Sequence, residues 1–125
     1  MAFDLFVNGG LMRGLSHHAN LNGTEFLEEC ATAPRYRLYS IADKHPGMFE
    51  VEEGGVAVAG ELYRAPDAVW LNIEAGEPPD LYRGRVALAD GREVFGILYP
   101  RELAEHRHRD VSAFGGWRAY LADRI

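Results

Sequence analysis

The chain has 125 residues, 47% of them hydrophobic and 26% charged, which is typical of a single globular domain with its own core. Its formal net charge of −6 argues against a nucleic-acid-binding surface. No stretch approaches the ~18 consecutive apolar residues of a membrane span, so we expect no membrane partner. Cys30 is the only cysteine and cannot form an internal disulfide, which fits a reducing compartment. We therefore expect one cytoplasmic domain over residues 1–125.

The first half of the chain contains several predicted strands. "DLFVNG", from Asp4, is a short apolar run that ends in glycine and predicts a buried strand. The polar, turn-rich segment 14–23 predicts a loop. "TEFLEECATA", from Thr24, fits a helix or a strand equally well. "RYRLYSI", from Arg35, alternates arginine with apolar residues and predicts a half-buried strand.

The second half predicts two hairpins and two helices. After a turn at "KHPG", residues 48–65 predict a hairpin with Glu53 to Gly55 at its turn. "PDAVWLNIEAGE" predicts a short helix, and "GRVALADGREVFGILY" predicts a second hairpin that turns at Asp90-Gly91. "SAFGGWRAYLADRI" predicts a helix capped by Ser112, with Trp117 buried. These elements predict an α+β fold, a small, mostly antiparallel β-barrel with short helices.

The stretch "LFVNGGLMRG", residues 5–14, contains more glycine than a turn requires. Glycines after a strand leave backbone N–H groups accessible, and successive N–H groups can bind an anion such as a carboxylate. Neither the P-loop nor the dinucleotide-binding pattern is present. Of the 13 basic residues only Lys44 is a lysine; arginine is well suited to binding carboxylates, although codon usage also produces such a bias. The glycine-rich stretch, residues 5–14, therefore predicts an anion-binding loop.

The same stretch resembles the first strand and loop of the gamma-glutamylcyclotransferase-like proteins, usually written "hFVYGTLxxG". The resemblance continues in order through "TAPRYRLYSI", "EPPDLYRGRV" and "EVFGILY", and it covers residues 3–100 approximately. The closing "DVSAFGGWRAYL" resembles the C-terminal domain of allophanate hydrolase, which here would stand alone. The resemblance implies the gamma-glutamylcyclotransferase-like fold.

In that family the loop holds the glutamyl moiety of the substrate. By resemblance this role falls to Asn8, Gly9, Gly10 and Leu11. Asn8 stands where the family has tyrosine, and Gly10 where it has serine or threonine. Two hydroxyl groups are therefore missing, and recognition is left to backbone N–H groups and the Asn8 amide.

The family also uses a glutamate as acid/base. It moves a proton from the substrate's α-amine, which attacks the γ-carbonyl, to the departing amine, and 5-oxoproline is formed. The family pattern places this glutamate at Glu77, with the spacing to Tyr82 one residue short, so Glu74 is the alternative. Burial in a barrel mouth would raise its pKa towards neutrality, as a general base requires.

Further candidates come from histidine and tyrosine. His17 and His18 follow the loop closely enough to reach a ligand, or they are exposed loop residues. By resemblance, Tyr99 at the end of the second hairpin faces the pocket; a core position is the alternative. His106 and His108 lack further ligands at metal-binding spacing, so we expect no metal and no cofactor.

Three functions are compatible with these features. The first is a gamma-glutamylcyclotransferase that releases 5-oxoproline from a γ-glutamyl amine or peptide, with Glu77 or Glu74 as acid/base. The second is an allophanate-related activity on an N-carboxy or carbamate-type compound, or assistance to an amidase. The third is a non-catalytic module that binds a small molecule. In each case the expected ligand carries a carboxylate or carbamate-like group, and the expected protein partner is a second copy or an amidase.

Overall fold

The computed structural model describes residues 1–124, which form eight β-strands, three α-helices and two short 3-10 helices. None of the helices in this range has the length and apolar character that crossing a membrane requires. The strands are β1 (Ala2–Val7), β2 (Glu25–Ala31), β3 (Tyr36–Ile41), β4 (His45–Glu50), β5 (Ala59–Pro66), β6 (Tyr82–Ala87), β7 (Glu93–Leu98) and β8 (Arg109–Asp110). The α-helices are α1 (Asp67–Gly76), α2 (Arg101–Arg107) and α3 (Trp117–Asp123), and the 3-10 helices are His18–Leu21 and Ser112–Phe114.

The strands form two sheets, which confirms the α+β class. The larger sheet has the order β2-β5-β1-β7-β6, and the smaller one has the order β4-β3-β8. All pairs are antiparallel except β1 and β7, which run parallel with Leu5 opposite Phe95. The ambiguous segment after Thr24 is therefore an edge strand, β2.

The larger sheet is not closed as the predicted barrel. Its edge strands, β2 and β6, meet only at their C-terminal ends, where Thr32 and Leu88 form an isolated bridge. The Ala33 N–H donates to the Ala87 carbonyl at 2.9 Å near this point. Because three of the eight strands form a separate sheet, the remaining five do not complete a cylinder.

The hairpin predicted over residues 48–65 is wrong. β4 pairs with β3, whereas β5 pairs with β1 and β2, so residues 51–58 connect two different sheets. The local glycines indicated a turn correctly but could not indicate the partner, because strand pairing is decided by packing of both faces. Helix α1 and the β6–β7 hairpin at Asp90-Gly91 are as predicted.

The C-terminal segment is helical but interrupted. Ser112–Phe114 form a 3-10 turn, Gly115 has a φ of +75°, and α3 begins only at Trp117. The predicted cap at Ser112 is wrong, because its hydroxyl accepts the Leu38 N–H at 2.8 Å and so binds β3. Trp117 is buried as expected, with 3% exposure.

The main core lies between the larger sheet, the smaller sheet and helices α1 and α3. It is built around Leu5 and Leu62 from the larger sheet, Leu38 from the smaller sheet, Ile73 from α1 and Trp117 from α3. A second cluster packs α2 against the smaller sheet. Val7 and Ile97, on the parallel strands β1 and β7, reach the edge of a cavity.

Candidate functional site

A cavity of about 390 Å³ opens at the end of β1, which is within the usual size of small-molecule sites. Its walls come from the glycine loop, the β3–β4 turn, and the end of α1 with the Pro78-Pro79 segment that follows it. Its polar and charged lining residues are Asn8, His17, Asn20, Lys44, His45 and Glu77. The rest of the lining is glycine, proline and aliphatic side chains. The predicted loop and the predicted glutamate thus line one cavity.

Three consecutive backbone donors of the loop are free. The loop carbonyls are used, since Met12 N–H donates to Gly9 O at 3.0 Å and His17 N–H donates to Gly10 O at 2.9 Å. Within residues 1–124 the N–H groups of Gly9, Gly10 and Leu11 have no acceptor. A row of successive N–H groups on a cavity wall can bind an anionic or partly negative oxygen.

Close packing requires glycine at Gly9, which lies against the rigid Pro46 ring, whereas the neighbour of Gly10 is the exposed side chain of His17. A Cβ atom on Gly9 would lie 2.9 Å from Pro46 Cδ, and one on Gly10 would lie 2.8 Å from His17 Nδ1. The absence of a Cβ atom leaves room for the neighbouring side chains and keeps the backbone accessible. Asn8 is 5% exposed, and its Nδ2 has only a weak contact with Met48 Sδ at 3.8 Å.

Glu77 and Glu74 have different surroundings. Glu74 is exposed on α1 and does not line the cavity, whereas Glu77, just after the helix, is half-buried and does. Burial raises the pKa of Glu77 to about 7, and no neighbouring charge or hydrogen bond contributes to this shift. A carboxyl group of this kind can both accept and donate a proton near neutral pH.

Of the histidine and tyrosine candidates, only one lines the cavity. His17 lines the cavity, with its ring against Gly10 and its Nδ1 3.0 Å from Ser16 Oγ. His18 does not line it, and its Nδ1 is instead 2.9 Å from the Leu11 carbonyl oxygen. Tyr99 lies behind His45, with ring centroids 6.1 Å apart, and is not part of the lining. The chain leaves β7 at Leu98, and the Tyr99 N–H then donates to β4, which directs the ring into the second cluster.

Lys44 and His45 line the cavity but were not expected there. Lys44 lies in the β3–β4 turn and His45 begins β4, so both depend on a sheet that local patterns do not predict. Burial lowers the pKa of His45 and so favours the neutral imidazole. The one feature of the sequence that could have drawn attention to this position is that Lys44 is the only lysine.

The far end of the glycine loop is held by a buried carboxylate. Glu61 on β5 is 3% exposed and accepts the Arg13 N–H at 2.9 Å and the Arg13 Nε–H at 3.2 Å. Tyr63 and Arg118 also donate to it, at 2.9 and 3.3 Å. These contacts hold Arg13, and with it the loop, against β5 and α3.

No three His, Cys, Asp or Glu side chains within residues 1–124 are grouped so that they could hold a metal ion. Cys30 lies in a separate groove beside α3, where burial raises the pKa of its thiol to about 11. The thiol is therefore protonated at neutral pH and is a poor nucleophile there.

The sequence family described as the allophanate hydrolase C-terminal domain matches residues 3–122. The match covers almost the whole chain, and the protein belongs to this family. No curated protein matches the chain.

Solved structures agree with this assignment. A uropathogenic E. coli-specific protein is 41% identical, with a TM-score of 0.92, and the match covers 98% of this chain and 97% of that one. Kluyveromyces lactis allophanate hydrolase is 25% identical with a TM-score of 0.91; the match covers 100% of this chain but only 22% of that enzyme. An aig2-like protein from Mus musculus is 19% identical, covers 81% of each chain and has a TM-score of 0.67, which shows a shared fold.

Proposed function

We propose that this protein is a gamma-glutamylcyclotransferase-like enzyme that releases 5-oxoproline from a γ-glutamyl amine or peptide, with Glu77 as acid/base. The observation that carries the proposal is a half-buried glutamate whose pKa is raised to about 7 and which lines the same cavity as three free loop N–H groups. The fold shared with the aig2-like protein is compatible with this activity.

In this reaction Glu77 takes a proton from the α-ammonium group of the substrate. The neutral α-amine then attacks the γ-carbonyl carbon, and negative charge develops on the carbonyl oxygen. Donors that face such an oxygen lower the barrier, and the N–H groups of Gly9 to Leu11 are available for this role. As the new C–N bond closes the ring, the ring nitrogen gives up its second proton and the old C–N bond breaks. The leaving amine takes up both protons, one of them from Glu77, and departs as an ammonium ion.

The test is the formation of 5-oxoproline from a panel of γ-glutamyl amines and dipeptides, measured by mass spectrometry. The parent protein should form it, and Glu77→Gln should reduce the rate by ~10²–10⁴-fold, because the acid/base is lost with little change of shape. Glu74→Gln is the matched control and should retain the parent rate. A parent that forms no 5-oxoproline from any compound would contradict the proposal.

A second candidate is decarboxylation of an N-carboxy compound, which the family match supports. By resemblance, allophanate hydrolase uses a histidine at the position of Gly10, and here the His17 ring packs against that residue. Cleavage of the N–carboxylate bond would leave its electron pair on nitrogen, which would take a proton from the imidazolium, and CO₂ would depart. His17→Gln distinguishes the two: it should abolish CO₂ release from such a compound, whereas Glu77→Gln should abolish 5-oxoproline formation.

A further inference from the structure

The cavity contains a half-buried imidazole to which the reaction described above gives no role. That reaction moves two protons from the α-ammonium group to the leaving amine, and Glu77 holds only one proton at a time. A second acceptor beside the reacting nitrogen can take the other proton while Glu77 is still occupied. His17 and His45 both line the cavity, but His17 is exposed, whereas His45 is half-buried.

A hydrogen bond at one ring nitrogen of His45 fixes the state of the other. Its Nδ1 atom is 3.0 Å from the Pro46 carbonyl oxygen. Because a carbonyl oxygen only accepts hydrogen bonds, Nδ1 carries the proton, and in the neutral imidazole Nε2 then has a free lone pair. The ring makes no other hydrogen bond within residues 1–124. Nε2 is therefore the ring nitrogen that is available to a ligand.

The surroundings of His45 favour the neutral imidazole, the form that can accept a proton. Burial is the largest cause that lowers its pKa, and the nearby charges of His108 and Lys44 lower it further, whereas the bond to Pro46 raises it. The Tyr99 ring packs against both histidines, with centroids 6.1 Å from His45 and 6.4 Å from His108. None of the ion pairs within residues 1–124 gives His45 an acidic partner.

His45 and Glu77 belong to different walls of the cavity. His45 begins β4, and Glu77 follows α1. Neither side chain contributes to the pKa shift of the other, so each is free to contact a ligand. Pro46, the next residue after His45, lies against Gly9, where a Cβ atom would be 2.9 Å from the proline Cδ. The imidazole is thus held next to the loop with the free N–H groups.

We propose that His45 is a second catalytic residue of this cavity, whose Nε2 atom accepts the second proton of the attacking nitrogen and passes it to the leaving amine. This role rests on the proposed function, because it assigns a proton of that reaction. The α-ammonium group gives one proton to the Glu77 carboxylate and, once the new C–N bond has formed, a second one to Nε2. The leaving nitrogen receives one proton from each as its C–N bond breaks. The carboxylate and the neutral imidazole are both restored.

The first measurement is the rate of 5-oxoproline formation by the parent, His45→Gln and His106→Gln. Loss of one of two proton carriers should lower kcat by about 10²-fold with little change in KM. Free imidazole added to His45→Gln should restore part of the lost rate, which it would not do if the side chain only supported the fold. His106 is exposed on α2 outside the cavity, so His106→Gln is the matched control and should retain the parent rate.

The second measurement does not depend on turnover. In protein labelled with ¹⁵N-histidine, the resonances that are missing from His45→Gln are those of His45. Above the ordinary histidine pKa they should show a protonated Nδ1 and an unprotonated Nε2. The ring N–H of 5-oxoproline is the donor that stands where the second proton left, so the addition of 5-oxoproline should shift the Nε2 resonance and leave those of His106 unchanged.

The outcomes separate the role of His45 from the reaction itself. A parent that forms 5-oxoproline, together with a His45→Gln variant that forms it at the parent rate, would overturn the role of His45 and leave the proposed function intact. A variant that imidazole does not rescue, or an Nε2 atom that is protonated or does not respond to 5-oxoproline, would overturn that role as well. A parent that forms no 5-oxoproline would contradict the reaction and the role of His45 together.

Discussion

Glu61, which is buried, and Glu77, which is half-buried, show that burial alone does not decide the charge of a side chain. Burial disfavours ionisation of Glu61, but hydrogen bonds from the Arg13 backbone, the Tyr63 hydroxyl and the Arg13 guanidinium outweigh it and hold the pKa of Glu61 below its ordinary value. Glu77 is buried without such donors, and its pKa rises to about 7. Glu61 is therefore a structural anion, and Glu77 is free to exchange protons.

The difference at Glu77 predicts a pH dependence of stability. Its pKa is about 7 in the folded protein and 4.5 ordinarily, so the folded state binds the proton more tightly. Its contribution to stability is fully present below pH 4.5 and is lost as pH rises through 7. Solvent screening of this half-buried group reduces the effect, and we expect a loss of about 1–2 kcal/mol.

The measurement is the free energy of unfolding in urea at several pH values, for the parent and for Glu77→Gln. The parent should lose stability relative to the variant as pH rises from 4.5 to 8, because glutamine does not titrate. Every other titrating group is common to both proteins and cancels in the difference. A difference that stays constant over this range would show that the Glu77 pKa is not raised.

Helix α3 illustrates how a short element depends on its packing. Its seven residues are too few to be stable in isolation, so burial of its apolar side chains against the core must hold it in place. Trp117 and Tyr120 supply that burial, and their rings pack 5.4 Å apart. Gly116 lies where a Cβ would come within 3.2 Å of Ala59, so the close approach of this segment to β5 favours glycine.

Trp117→Ala should therefore destabilise the whole domain. Truncation of a buried tryptophan costs ~3–5 kcal/mol, and we expect the melting temperature to fall by more than about 10 °C. The melting temperature is measured by thermal unfolding, with circular dichroism as the probe. Leu71→Ala, which truncates a residue that is 63% exposed on α1, is the control and should change stability by less than about 0.5 kcal/mol. A Trp117→Ala protein that melts like the parent would show α3 to be a detachable tail.

At the scale of the whole molecule, the Glu61 carboxylate connects three parts of the chain. Its partners are Arg13 from the glycine loop, Tyr63 from its own strand and Arg118 from α3. The loop that lines the cavity is thereby attached to the sheet and to the C-terminal helix. An anion site built from backbone N–H groups depends on such supporting contacts, because the donors must converge before the ligand arrives.

Glu61→Gln should weaken both the fold and the site. Loss of the charged acceptor of two arginines should cost about 2 kcal/mol in unfolding free energy. Binding of 5-oxoproline, the product of the proposed reaction, should weaken as well when it is measured by calorimetry, because Arg13 no longer holds the loop. Glu29→Gln is the matched control: Glu29 also pairs with Arg13, but its side chain is 74% exposed, so little change is expected. Equal effects of the two variants would show that burial of Glu61 has no special role.

Local sequence patterns were enough to predict several elements correctly. The strand before the glycine loop, helix α1, the β6–β7 hairpin and the burial of Trp117 follow from apolar patterns, a proline and turn glycines, all of which act over a few residues. The family resemblance added the gamma-glutamylcyclotransferase-like fold and two candidate glutamates. For Tyr99 the sequence left a pocket position and a core position open, and the ring lies in the second cluster.

Which elements meet depends on packing between distant parts of the chain. β4 joins β3 instead of β5, and this pairing leaves the sheet open and brings the Lys44 turn to the glycine loop. The surroundings of the two glutamates were decided in the same way, since Glu77 enters the cavity while Glu74 faces solvent. The reason is physical: strand partners, burial and pKa values depend on contacts between residues far apart in the chain, and a local pattern contains no information about them.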